Sequence, residues 1–222
     1  KSLLDPKCNT KLEITKEDLD LYKSTTLKDN KRSDILLPLE NLPNAPSITN
    51  SFKSSPLIYE DFENILSSRR NGSSPGLNQI PYKVYKLCPK IASFLFDFFK
   101  ICFKKSFIPL QWRSASEVYI PKNKPPTPSN IKDFRPIALL NVEGKLFFSL
   151  ISRRLEQHIL SNNIINKSIQ KGCMAKVPGC WEHMSLVWEA LKSAKSNKGS
   201  VACIWLDIAN AYQSIPHKLF FF

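Results

Sequence analysis

Apolar residues recur at helical spacing through most of the chain and alternate with polar residues in only a few short segments. This periodicity predicts helices at residues 14–22, 59–70, 81–88, 90–105, 143–160 and 182–195. The segment 90–105 is almost continuously apolar, so its helix is expected to be buried on most sides. In the last helix, Val187, Leu191 and Ala194 are expected to face inward.

Extended segments are predicted at three places. Residues 117–120 and 135–140 lie on either side of a polar segment with three prolines, which is typical of a β-hairpin with a long tip. The apolar run 201–206 predicts a third, buried strand that ends at Asp207. Several helices combined with few strands indicate an α+β fold.

Basic residues are concentrated in one part of the chain. The net charge is +13, yet residues 1–50 contain eight Lys and Arg against eight Asp and Glu, so the whole excess lies in residues 51–222. A localised positive charge indicates a polyanionic partner, and nucleic acid is the first candidate. A solvated basic surface without a partner is the alternative.

Cysteine use and hydropathy bear on the compartment. The six cysteines form no C-x-x-C pair, and Cys88, Cys102 and Cys203 lie in apolar contexts that favour buried thiols. No signal peptide pattern is present, so reduced cysteines in an intracellular protein are expected. The most apolar stretch, 91–103, is too short to span a bilayer, so no membrane partner is expected.

Five short motifs occur along the chain in a fixed order. They are "SSPGLNQIPYKVYK" (73–86), "WRSASEVYIPK" (112–122), "DFRPIALLNVEGKLFFSLISRRL" (133–155), "QKGCMAKVPGCWEH" (170–183) and "WLDIANAYQSIPH" (205–217). Together they resemble the reverse transcriptases of non-LTR (LINE-type) retrotransposons. Each motif alone is only moderately specific, and the weight of the resemblance lies in their order and spacing.

The resemblance implies a more specific architecture. The α+β fold would be the fingers of a right-hand, reverse transcriptase-like polymerase plus the start of its palm, truncated from a longer parent protein. Residues 1–55 would be an N-terminal connecting segment and residues 56–200 the fingers. Residues 201–222 would begin the palm with the first catalytic aspartate motif.

The resemblance implies a metal-dependent catalytic role for Asp207. In the family this aspartate binds the divalent ions, and the peptide carbonyl of Ile208 would be a further ligand. Two Mg²⁺ (or Mn²⁺) ions in the full-length parent would activate the primer 3′-hydroxyl and stabilise the leaving oxygen, chemistry that suits carboxylate ligands. The alternative for Asp207 alone is a turn or helix cap.

Three further residues resemble the family's nucleotide-binding positions. Tyr212 would lie beneath the nucleotide sugar and select deoxynucleotides, and Arg135 would grip the incoming triphosphate. Lys122 would stand across the hairpin and add a second cation. The alternatives are a core tyrosine with a satisfied hydroxyl and two solvated surface charges.

The resemblance also implies contacts to the nucleic-acid backbone. Ser74, Pro75 and Gly76 match the loop that the family places against template or primer, where glycine permits close approach to a phosphate. An ordinary turn is equally compatible with these residues. Lys145, Arg153 and Arg154 share a predicted helix and can line the same cleft, although a solvated helix face is the alternative.

The implied partners are an RNA template, a DNA primer and deoxynucleoside triphosphates. The parent protein would carry out RNA-directed DNA synthesis, intracellularly and in the nucleus. The family's second metal-binding motif, aromatic-x-Asp-Asp, does not occur after Asp207 in these residues. Whether this chain is itself an enzyme is therefore left open, and we expect it to be inactive alone. The alternative is a non-enzymatic, basic, nucleic-acid-binding remnant of such an element.

Overall fold

A computed structural model describes residues 13–27, 47–122, 130–166, 168–172 and 179–207. The chain divides into two compact units. The first comprises Lys1–Tyr22 and Asn50–His158, and the second comprises Lys23–Thr49 and Ile159–Phe222. The described residues combine helices with a small sheet, which is consistent with the predicted α+β class.

The helices and strands lie close to the predicted positions. In chain order they are α1 (Lys16–Tyr22), α2 (Tyr59–Ser68), α3 (Tyr82–Leu87), α4 (Pro89–Lys104), β1 (Ala115–Pro121), β2 (Phe134–Leu140), α5 (Val142–Ser161) and α6 (Gly179–Ser196). Short π-helical and 3-10 turns follow α1 and precede each strand, at Lys23–Leu27, Leu110–Trp112 and Ile131–Asp133. The six predicted helices are confirmed, with ends that differ by at most three residues.

Aromatic side chains from α2, α4 and α5 form the core of the first unit. Phe99 on α4 is fully buried, and its ring lies 5.8 Å from that of Phe62, 5.5 Å from that of Trp112 and 5.4 Å from that of Phe147. All three contacts are edge-to-face, which is the arrangement that aromatic quadrupoles favour. The core therefore joins three helices that are distant in sequence.

The prediction that α4 is buried on most sides is wrong. Its inward face is packed, but Phe94 is 77% exposed, and Ile91 and Ile101 are also exposed. An ion pair of 2.6 Å between Asp97 and Lys100 lies on the solvent side. A continuous apolar run makes a helix able to be buried on all sides. Whether each side is buried depends on how many other elements pack against the helix, and the run does not determine this.

The predicted hairpin is confirmed. Strands β1 and β2 pair antiparallel, with Ile120 opposite Arg135 and Ala115 opposite Leu140. The ladder continues one step beyond β1, because the amide of Lys122 donates to the carbonyl of Asp133 at 2.7 Å. The hairpin tip, residues 123–129, lies outside the described residues.

The cysteine predictions are confirmed in part. Cys102 is buried in the core, Cys203 is half-buried and Cys88 is exposed, all three as free thiols. The prediction of a buried Cys88 is wrong because this residue stands between the end of α3 and the start of α4, where the chain turns at the surface. No helix in the described ranges is long and apolar enough to cross a membrane.

The second unit is less closely packed than the sequence predicts. Helix α6 has no buried residue among those described, and Leu191, expected to face inward, is 44% exposed. Lys171 forms an ion pair with Glu182 near the start of this helix. Val187 and Ala194 are half-buried.

The predicted buried strand at residues 201–206 is wrong. This segment has no strand structure, and Leu206 is 93% exposed. A strand is stabilised by hydrogen bonds to a neighbouring strand, and β1 and β2 pair only with each other within the described part of the chain. An alternating or apolar sequence pattern predicts that a segment favours the strand conformation, but it does not show whether a neighbouring strand is present to pair with it.

Candidate nucleic-acid interface

The loop 71–76 lies between α2 and α3 in the first unit, and Gly76 is its most closely packed residue. A Cβ atom built on Gly76 would lie 2.4 Å from the backbone nitrogen of Asn141 and 2.5 Å from the carbonyl carbon of Leu140. Only glycine fits there, since real Cβ atoms do not approach backbone so closely. The close approach in this structure is therefore between the loop and the chain's own backbone at the start of α5. A role for Ser74, Pro75 and Gly76 at a nucleic-acid phosphate stays a prediction.

Four polar residues tie this loop to α5, and we call them the loop clamp: Asn78, Tyr85, Asn141 and Glu143. The side-chain amide of Asn78 donates to both carboxylate oxygens of Glu143, at 2.9 and 3.1 Å, and the Tyr85 hydroxyl donates to one of them at 2.5 Å. Burial, followed by the hydrogen bond to Glu143, raises the pKa of Tyr85 above its usual value, so this phenol remains a donor.

Asn141 completes the loop clamp through its side-chain amide. Its oxygen accepts from the backbone N–H of Asn78 at 3.2 Å, and its nitrogen donates to the carbonyl of Gln111 at 3.2 Å. Asn141 directly follows β2, so one buried side chain connects the loop, the segment before β1 and the end of the hairpin. Buried polar groups with all partners satisfied hold elements in one arrangement.

The loop is bordered by one cation directly after α2, Arg69, and by one on α5, Lys145. The amine of Lys145 lies 3.3 Å from the carbonyl oxygen of Ser74, and burial lowers the pKa of Lys145 below its usual value. The guanidinium of Arg69 donates to the hydroxyl of Ser149 at 2.8 Å, while its buried Nε has no partner within the described residues. Neither Arg69 nor Lys145 forms an ion pair in the described part of the chain.

The other cations expected along α5 have structural partners. Arg154 is buried and donates to the backbone carbonyls of Lys53, Ser55 and Pro56, so it anchors the segment before α2. Arg153 forms an ion pair of 3.5 Å with Asp61 on α2. Of the three candidates, Lys145 alone borders the loop.

The hairpin carries two of the predicted nucleotide-binding residues on one face. Directly opposed residues in an antiparallel pair point to the same side, so Arg135 shares a face with Ile120, and Lys122 follows on that face two residues later. Such diagonal neighbours are roughly 7 Å apart. Both cations are exposed. Glu117 points to the opposite face, whereas Asp133, whose carbonyl accepts from the Lys122 amide, lies opposite Lys122 on the same face. The role of Arg135 and Lys122 at a triphosphate stays a prediction.

The predicted catalytic residues are in the second unit. Asp207 is exposed at the end of the described segment 201–207, whereas Ile208 and Tyr212 lie outside the described residues. No group of three or more His, Cys, Asp or Glu residues is suitably placed for a metal within the described ranges. A single described carboxylate does not make the oxygen set that two divalent ions require.

Sequence reasoning missed the loop clamp. Asn141 and Glu143 stand at the start of an amphipathic helix, where polar residues ordinarily face solvent, and Tyr85 was one aromatic in a short helix. A weak signal was available, namely that two polar residues precede a strongly apolar run on α5. Their partners lie 30 to 65 residues away in sequence, so no local pattern identifies them.

Comparison with known proteins gives one informative match. No protein-family model matches the chain. The chain is similar to the RNA-directed DNA polymerase from mobile element jockey of Drosophila melanogaster, with 28% identity over 167 residues. This match covers 73% of the chain but 18% of that protein, so the chain spans about a fifth of the length of the relative that it matches. The similarity supports a reverse-transcriptase-like relationship for this chain.

Proposed function

We propose that the first unit is a polynucleotide-binding module of a non-LTR retrotransposon reverse transcriptase, corresponding to its fingers. Ser74, Pro75 and Gly76 would follow the backbone of an RNA template or DNA primer, and Lys145 would contact a phosphate beside them. Arg135 and Lys122 would bind the triphosphate of an incoming deoxynucleotide from the hairpin face. Cations next to a rigid backbone loop are suited to phosphate contacts.

The observation that carries this proposal is the placement of four cations that form no ion pair. Arg69, Lys145, Arg135 and Lys122 lie in or beside the motifs that resemble reverse transcriptases, and none forms an ion pair among the described residues. By contrast, Arg153 and Arg154, which lie further along α5, are used by the fold itself. The net charge of +13 agrees with a polyanionic partner.

We propose a catalytic role only for the parent protein. There Asp207 and the carbonyl of Ile208 would bind Mg²⁺ or Mn²⁺ together with carboxylates that the described residues do not supply, and Tyr212 would exclude ribonucleotides. When bound, such ions activate the primer hydroxyl and stabilise the leaving group. RNA-directed DNA synthesis, a nuclear location and the division into fingers and palm belong to the same proposal.

The salt dependence of polynucleotide binding tests the proposal. Fluorescence anisotropy with a labelled RNA–DNA primer–template hybrid should give an affinity that falls steeply with salt, because each phosphate contact releases counterions. A Lys145→Ala variant should bind several-fold more weakly, and the slope of log Kd against log salt should decrease by about 1.

Lys100→Ala is the matched control for this measurement. Lys100 is also a partly exposed lysine on a helix of the first unit, but its amine is paired with Asp97 at 2.6 Å and is not beside the loop. Its removal should leave the salt slope unchanged. Equal slopes for the Lys145 and Lys100 variants would contradict the proposed interface.

A further inference from the structure

Glu143 is a buried carboxylate whose role the proposed interface leaves unexplained. It is 8% exposed, and it forms no ion pair within the described ranges. Its oxygens instead accept three hydrogen bonds from two neutral donors, Asn78 and Tyr85. Burying a charge without a cation is costly, so an arrangement that retains one requires a reason.

We propose that Glu143 is a positioning residue for polynucleotide binding: its side chain, held by Asn78 and Tyr85, fixes the loop 71–76 at the distance from Lys145 at which both meet a phosphate. This inference rests on the proposed function. It adds that the loop clamp, and not the loop sequence alone, determines whether the loop can bind.

The hydrogen bonds of the loop clamp show how Glu143 sets the position of the loop 71–76. Asn78 is held at two points, since its side chain donates to Glu143 and its backbone N–H donates to Asn141. Gly76, two residues earlier, packs against the backbone of Asn141. The end of the loop is thereby fixed on the first turn of α5.

Glu143 and Lys145 lie on that same first turn of α5. The Lys145 amine reaches back to the Ser74 carbonyl at 3.3 Å. Any shift of Asn78 relative to Glu143 therefore changes the separation between the loop backbone and this amine. Misplacing a charged contact by about 1 Å is enough to weaken a preorganised site substantially.

The backbone directly after the loop is consistent with a loop held in one position by its contacts. Gln79 has a φ of 60°, in the left-handed region that residues with a side chain seldom adopt. Its backbone N–H and its side-chain amide both donate to the carbonyl of Gly76, at 3.1 and 3.2 Å. Such a conformation persists where surrounding contacts over-determine it, and here both hydrogen bonds go to Gly76, which itself packs against Asn141.

The loop clamp pairs one acid, Glu143, with one amide, Asn78. Exchanging the acid and the amide between these two positions tests the proposal. Asn78→Asp places a second carboxylate against Glu143 and replaces two attractive contacts with repulsion. This variant should bind the RNA–DNA hybrid at least tenfold more weakly than the unaltered chain. The exchange variant Asn78→Asp with Glu143→Gln restores one acid and one amide, and its Kd should return to within about threefold of the original.

A control variant of similarly reduced stability separates an effect on the position of the loop from an effect on folding. Leu95→Ala removes a buried core side chain on α4 that makes no hydrogen bond of the loop clamp, and it should lower the melting temperature without changing Kd. All Kd values are measured at a temperature where circular dichroism shows each variant to be folded. Tyr85→Phe, which removes one donor to Glu143, should weaken binding severalfold and substitutes for Asn78→Asp if that variant does not fold.

The outcomes are distinguishable. If the unaltered chain binds and Asn78→Asp (or its substitute) binds equally well, the positioning role is rejected and the proposed function stands. If the exchange variant recovers its melting temperature but not its affinity, the positioning role is also rejected. If the unaltered chain does not bind the hybrid, the proposed function is rejected, and this inference with it.

Discussion

Replacing Gly76 with alanine is expected to lower the free energy of unfolding by about 2 kcal/mol. The added Cβ would lie 2.4 Å from the backbone nitrogen of Asn141, which no rotamer change can relieve because the opposing atom is main chain. The loop must therefore move away from α5, and the hydrogen bond from the N–H of Asn78 to the Asn141 side chain would be stretched. Urea denaturation followed by circular dichroism measures this loss.

Gly72→Ala is the matched control in the same loop. Nothing lies within 4 Å of a Cβ atom built on Gly72, and its φ is not in the left-handed region. Its unfolding free energy should stay within about 0.5 kcal/mol of the original. Equal stabilities for the two glycine variants would show that the loop is not packed against Asn141 as described.

Phe99→Ala is expected to cost about 3–5 kcal/mol of unfolding free energy. Phe99 is fully buried and makes edge-to-face contacts with the rings of Phe62, Trp112 and Phe147. This loss of free energy has three sources: the apolar side chain is no longer buried, a cavity is left behind, and the contacts between aromatic rings are lost. Because these rings join three helices, much of the first unit should unfold at a lower urea concentration.

Phe94→Ala provides the comparison on the same helix. Phe94 is 77% exposed, so the same chemical change should cost no more than about 0.5 kcal/mol. The pair distinguishes the buried face of α4 from its exposed face. Comparable losses at the two positions would indicate that α4 is buried on both faces, as its apolar sequence alone predicts.

Local patterns predicted the elements of the first unit well. The helices and the hairpin follow from periodicities of 3.6 and 2 residues, together with turn residues at their ends, and these are short-range properties. Residues 135–140 were predicted as a strand from their own composition, and the observed β2 extends this segment by one residue. Arg135 and Lys122 therefore lie on one hairpin, as the sequence predicted.

Features that depend on distant partners were not predictable in the same way. The exposed face of α4 and the absence of a strand at 201–206 depend on which other elements pack nearby, and an apolar run does not encode this. The loop clamp joins Asn78 to Glu143 across 65 residues. For Gly76, the sequence identified the need for close backbone approach, whereas the partner found in the structure is Asn141.

Hydrogen–deuterium exchange with and without the RNA–DNA hybrid tests the central claim most directly. If the loop 71–76 and the hairpin face with Arg135 and Lys122 form the interface, amide hydrogens in these segments should exchange more slowly in the complex. The slower exchange is expected in peptides that cover residues 71–79 and the strands β1 and β2. Peptides from the outer face of α4, around Phe94, should be unchanged. Protection confined to other segments, with the loop 71–76 exchanging as in the free chain, would contradict the account.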